Sequence, residues 1–240
     1  MIRTLEEQIE YYNTRWSSFS YANGLELERC TAILSHVIET GLVYPRVCDL
    51  GCGAGWLSGV LGCFGPTFGM DLSDAAMRSA AERFPYVQFH ARDVFQWNSP
   101  KEHFDVVVSQ EVLEHVGDQA GYLSIAHAIL RPGGYLILTT PNARTMNAME
   151  ESRRKSWSDQ PLENWVTSAQ LRSLLLRAGF RDICISTIIL GPGSSGIYRV
   201  INSCKLQKLA FLFGIGGIWK RASLRAGYGL HFVIRGRKPG

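Results

Sequence analysis

The chain has 240 residues, 46% of them hydrophobic and 19% charged, which fits one globular α/β domain and excludes a disordered or fibrous chain. No run of about 18 apolar residues occurs, so no spanning helix is expected, and the acidic opening MIRTLEEQIE lacks the apolar segment of a secretory signal. Net charge is +4, but all 21 acids fall within residues 1–182 and nine of the 25 bases lie beyond them, which points to a negatively charged partner or to a solvated basic face.

Apolar spacing at Leu5, Ile9 and Tyr12 predicts a first helix over 4–19, and a second over 23–40 is capped by Asn23 and stopped at Gly41. RVCDL (46–50) reads as a strand, followed by three glycines and a helix near 55–64. TFGMDL (67–72) is a second strand, and Ser73 or Asp74 caps the helix after it. VQFHA (87–91) and FDVVVSQ (104–110) are the third and fourth, the latter almost continuously apolar, as in a central parallel strand. A helix near 118–130 stops at RPGG, and YLILTT (135–140) is the fifth strand. After a long connection, 141–166, which holds Trp157 and Trp165, a helix over 167–178 closes at Gly179. Strands at 182–190 and 229–237 flank a basic insert, 191–228.

The alternation predicts a doubly wound, mostly parallel, seven-stranded sheet with N-terminal helices and a helical insert before the last strand. The six cysteines (30, 48, 52, 63, 184, 204) are scattered without a C-x-x-C. They are expected to be reduced, buried side chains of a cytoplasmic protein rather than a disulfide or zinc framework.

CDLGCGAGW (48–56) places Gly51, Gly53 and Gly55 at the carboxyl end of the first strand, where open α/β sheets hold their ligands. The dinucleotide pattern G-x-G-x-x-G fails at Trp56 or Ser58, and no P-loop G-K-[ST] exists. Asp49 beside the glycines would repel a phosphate and suit a cation.

On these residues the chain resembles the class I S-adenosylmethionine-dependent methyltransferases. Asp49, Gly51, Gly53 and Gly55 match the glycine motif, Asp71 ends the second strand, Asp93 follows the third, and FDVVVSQEVLEHV and ILRPGGYLILTTPN match the fourth and fifth. The resemblance implies a helical cap at 1–42, a cofactor-binding core at 43–142 and a substrate-side half at 143–240. It implies S-adenosylmethionine held by Asp49, Gly51, Cys52, Gly53 and Gly55, by Asp71 and Leu72 at the ribose, and by Asp93 and Val94 at the adenine. Gln110 and Glu111 would lie beside the sulfonium.

The chain lacks the Pro-containing motifs of the nucleic-acid methyltransferases after the fourth strand, so no nucleic-acid partner is expected. EVLEHV and RPGG are most similar to the ubiquinone-biosynthesis O-methyltransferases. The expected reaction is methyl transfer to a hydroxyl of a small molecule, sugar, polyketide or lipid-linked, with a non-catalytic cofactor-binding subunit as the alternative. His115 is the candidate general base, titrating near ~6.5 when unperturbed; the alternative is that it only packs under the cofactor. No metal is expected, although Glu111, Glu114 and His115 match a Mg²⁺-binding set of some relatives. Tyr11, Tyr12 or Trp16, in a run that also holds Phe19, is expected to cover the pocket. The insert, apolar from Leu209 to Trp219 between basic clusters and interrupted by glycines, predicts two short helices. They either wall the substrate pocket, the preferred reading, or dock on the inner membrane surface.

Overall fold

The computed structural model describes residues 4–17, 23–149, 151, 160, 162–191, 195–201 and 203–240. Phe19 and Trp157 lie outside them. Seven apolar segments pair into one sheet. They are β1 (Val47–Leu50), β2 (Thr67–Asp71), β3 (Gln88–Ala91), β4 (Phe104–Gln110), β5 (Leu130–Pro141), β6 (Arg181–Ile188) and β7 (His231–Arg237). Their order is β3-β2-β1-β4-β5-β7-β6, and only β7 runs antiparallel to its neighbours.

Side chains alternate between the two faces, as the strand period of two requires. Cys48, Leu50, Val107, Leu136 and Leu138 face α5 (Gln119–Ile129) and α7 (Ser168–Arg177), meeting Leu123, Ile129, Leu171 and Leu175. Val47, Val106, Val108 and Ile137 face the opposite layer, α2 (Gly24–Glu39) and α3 (Trp56–Leu61), through Ile33, Val37, Leu57 and Leu61. Both faces being covered explains why β1 and β4 read as unbroken apolar runs. Each fully buried Leu or Ile contributes ~1.5–3 kcal/mol relative to exposure.

Helix starts follow local capping chemistry. Asn23 accepts from the amides of Leu25 and Glu26, and the Glu26 carboxylate accepts from the Asn23 amide at 2.6 Å. This reciprocal pair satisfies donors that the first helical turn leaves free. Ser73 caps α4 (Asp74–Arg83). Helix α1 (Leu5–Ser17) packs on α4, where Asn13 accepts from the Ser73 hydroxyl at 2.6 Å. That contact carries α1 across the carboxyl ends of the strands.

Three sequence expectations change. RPGG ends α5 but does not form a loop: β5 already begins at Leu130, pairs with Phe104, and shifts register before Tyr135 pairs with Val106. Gly133, at φ +80°, absorbs the irregularity. The long connection holds a short helix, α6 (Ala143–Asn147), capped by Asn142. Of the cysteines, all free, Cys30, Cys48 and Cys52 are buried, whereas Cys63, Cys184 and Cys204 are exposed.

Between β6 and β7 lie α8 (Gly196–Ile201), α9 (Cys204–Leu212) and α10 (Gly216–Arg225). The break falls at Phe213–Ile215, with Gly214 at φ +73°. α10 packs against α9 and β6, and Lys220 meets Glu28 of α2 at 2.9 Å.

Candidate active site

β1, β2 and β4 end at a cavity of about 510 Å³, within the size range of small-molecule sites. All the sequence-predicted residues line it except Gly55, Tyr11 and Glu114. A Cβ at Gly55 would meet Ala80 and Phe89 at under 3 Å, so this glycine serves helix packing instead. Gly53 borders the cavity at φ +52°, and a Cβ there would meet the Trp16 ring of α1 at 2.6 Å. Tyr12 and Trp16 both line the cavity, so α1 roofs it; Tyr12 donates to Gln160 at 3.0 Å.

Two acids sit at the floor. Asp49 is 1% exposed, and burial pushes its carboxyl up to about 7, against a 2.6 Å hydrogen bond from Ser58 that holds it down. Its second oxygen, Oδ1, is buried with no hydrogen-bond partner. A buried acceptor left unmade costs about 1–3 kcal/mol, and a ligand bearing a donor or positive charge recovers it. Asp71 is also raised by burial, while the Ser73 and Gly53 amides, at 3.0 and 2.9 Å, pull it down. Each of its oxygens keeps a second lone pair for a ligand hydroxyl. Asp93 folds back to accept from the Phe95 amide at 2.9 Å, which presents Val94 to the cavity.

The loop after β4 carries the rest. Glu111 adopts φ +56°, a left-handed conformation that a side chain rarely takes and that marks functional sites. Its carboxylate lies 2.9 Å from His231 Nε2 and 3.6 Å from Arg29. Burial would raise it, but His231 and the Arg29 guanidinium hold it at about 2. Glu114 is raised by burial and by Glu111, and it accepts from the Thr140 hydroxyl at 2.9 Å. The two glutamates therefore answer to different partners, and no metal-binding group of three ligands forms among the described residues. His115 lines the cavity, with Nδ1 2.7 Å from the Leu162 carbonyl. A carbonyl only accepts, so Nδ1 carries the proton and Nε2 keeps a lone pair. Burial lowers this histidine below 6.5, so it is neutral near pH 7.

Ser58, Arg29 and His231 were missed in sequence. Arg29 had one signal: it shares a helix face with Ile33 and Val37, where a charge is out of place. Ser58 is the one side-chain hydroxyl of α3. His231 had no local signal. The insert does not wall this cavity: none of its described residues lines it.

A 3-2-1-4-5-7-6 sheet with a glycine turn after β1 and an acid ending β2 is the architecture of a Rossmann-like, S-adenosylmethionine-dependent methyltransferase. The model of the methyltransferase domain family matches residues 21–185, and the chain belongs to that family. A probable S-adenosylmethionine-dependent methyltransferase of Mycobacterium tuberculosis is 28% identical over 147 residues, covering 61% of this chain and 52% of that one. A ubiquinone biosynthesis O-methyltransferase of Ruegeria pomeroyi is 28% identical over 166 residues, 61% of this chain and 64% of that one. The chain thus spans about half to two thirds of the length of these relatives. Among solved structures, an S-adenosylmethionine-dependent methyltransferase of Thermotoga maritima superposes with a TM-score of 0.63 at 17% identity, covering 97% of this chain and 93% of that one. That likeness concerns the fold.

Proposed function

We propose that this domain transfers the methyl group of S-adenosylmethionine to a hydroxyl oxygen of a small-molecule acceptor. The observation that carries the cofactor assignment is Asp49 Oδ1, a buried, unpartnered acceptor on the floor of a cavity roofed by aromatic rings. S-adenosylmethionine supplies an electrophilic methyl on a sulfonium, together with ammonium and hydroxyl donors for the acids of the cavity floor. Asp49 accepts from the ammonium, Asp71 from the ribose hydroxyls, and Asp93 with Val94 flanks the adenine. Tyr12 and Trp16 exclude water, which strengthens each charge interaction beneath them.

The chain's part in the transfer is mostly positional, since aligning two reactants is worth up to ~7–11 kcal/mol. His115 adds a proton acceptor. The Leu162 carbonyl fixes its tautomer, which leaves the lone pair on Nε2, 3.5 Å from Glu114 Oε1 at the cavity wall. A hydroxyl placed there loses its proton to Nε2 as the oxygen takes the methyl.

The test is transfer of labelled methyl from S-adenosylmethionine to a panel of phenols, sugar nucleotides and isoprenoid-linked phenols. Isoprenoid-linked acceptors are expected to react best, because the basic, apolar insert meets α2 at Glu28, next to the cavity residue Arg29. Methylation confined to amines would overturn the hydroxyl assignment.

A further inference from the structure

The insert buries the wrong residues for a helix pair that belongs to the core. On α9 the buried residue is Ala210, while Leu209, Phe211 and Leu212 point outward. Phe211 is 82% exposed, Leu212 78% and Phe213 70%, and Ile215 and Ile218 continue the patch onto α10. A soluble helix normally turns its large apolar side chains inward. A contiguous exposed apolar patch of this kind marks an interaction surface.

The charge around the patch identifies what covers it. Lys205 and Lys208 precede it, Lys220, Arg221 and Arg225 follow it, and no acid occurs after Asp182. A second copy seated on this face would bring lysines against lysines with no carboxylate of the insert to meet them. An anionic bilayer answers both features, since phenylalanine and leucine enter the acyl boundary while flanking bases meet the headgroups. No helix among the described residues is long and apolar enough to cross a membrane, so the contact is a docking on one leaflet. We infer that residues 204–225 form a monotopic membrane-docking face, with Phe211–Phe213 as the inserted tip.

The topology gives this face an orientation. β6 runs parallel to β5, so its carboxyl end, from which the insert emerges, lies on the same edge of the sheet as the cavity. The inference stands apart from the chemistry in the cavity, because it concerns residues that do not line it.

The experiment is flotation of the purified full chain with vesicles of phosphatidylcholine alone and of phosphatidylcholine mixed with phosphatidylglycerol, alongside sedimentation in the absence of lipid. The wild type is expected to float with the anionic vesicles and to be released by salt. Lys205→Gln with Lys208→Gln should weaken partition about 25-fold, at about five-fold per base. Phe211→Ser with Phe213→Ser should abolish flotation while leaving the circular dichroism, and methylation of a water-soluble acceptor, unchanged. A monodisperse wild type that stays off anionic vesicles at low salt overturns the inference. So does a lipid-free dimer that the Phe211→Ser, Phe213→Ser variant dissociates, which would assign the face to a second copy.

Discussion

Asp49→Asn should make the protein more stable and less able to bind its cofactor. Burial raises the Asp49 carboxyl from 3.8 to about 7, so the folded state holds a proton that the unfolded chain releases. An acid raised in this way costs stability as pH climbs from 3.8 through 7. At 1.36 kcal/mol per pH unit, the gap of about three units costs the fold ~4 kcal/mol above pH 7 and well under half of that at pH 5. Asparagine carries no charge and still accepts from Ser58. Any fixed cost of its amide group is the same at both pH values and cancels in the comparison. The stability of the variant minus that of the wild type should therefore grow by about 3 kcal/mol between pH 5 and pH 8, read by urea unfolding. Melting temperature at pH 8 should follow by several degrees. Calorimetry with S-adenosylmethionine should show a loss of about 10- to 100-fold, as when a charged acceptor is replaced by a neutral one. A stability difference that is flat from pH 5 to pH 8 would refute the reasoning, because it would mean that Asp49 titrates alike in both states.

Asp71→Ala should weaken S-adenosylmethionine binding by ~2–4 kcal/mol in calorimetry, and unchanged affinity would remove Asp71 from the site. In the pH profile of kcat, the acid limb should lie below the ordinary histidine value of 6.5, because burial lowers His115; His115→Ala should lower kcat far more than it raises KM, and an acid limb above 6.5 would contradict the assignment. Glu111 is held at about 2 against an ordinary 4.5, so the stability it contributes is present above 4.5 and lost as pH falls toward 2. Glu111→Gln should thus destabilise the fold by ~3 kcal/mol at pH 7, and by about 2 kcal/mol less than that at pH 3, in denaturant titrations.

Legibility in the sequence followed the range of the interaction that decides each feature. Asn23 caps α2 through neighbours two and three residues away, so its pattern is local and readable. β1 and β4 are covered on both faces, which leaves unbroken apolar runs. The glycines after Asp49 follow from a turn closed within a few residues. By contrast, the charge of Glu111 is set by Arg29 and His231, which come from opposite ends of the chain. RPGG carries a stop signal strong enough to conceal that β4 recruits Leu130 into the sheet ahead of it. The apolar spacing of α9 suggests a buried face, yet only packing against α10 decides that Ala210 turns inward and Phe211 outward. Function-bearing backbone geometry was readable; the balancing charges and the outward face of the insert were tertiary.

β7 lies between β5 and β6 in the sheet but follows both in the chain. On a ribosome, β6 is therefore synthesised with no strand to pair with, because β7 is its one neighbour. The stretch from residue 189 to residue 237 takes roughly 2–10 s to make at typical elongation rates. For that interval the nascent chain carries an open sheet edge, and the outward Phe211 and Leu212 emerge within it. Slowing translation across these codons lengthens the exposure to neighbouring nascent chains, and so lowers the yield of folded protein without altering the stability of the finished molecule.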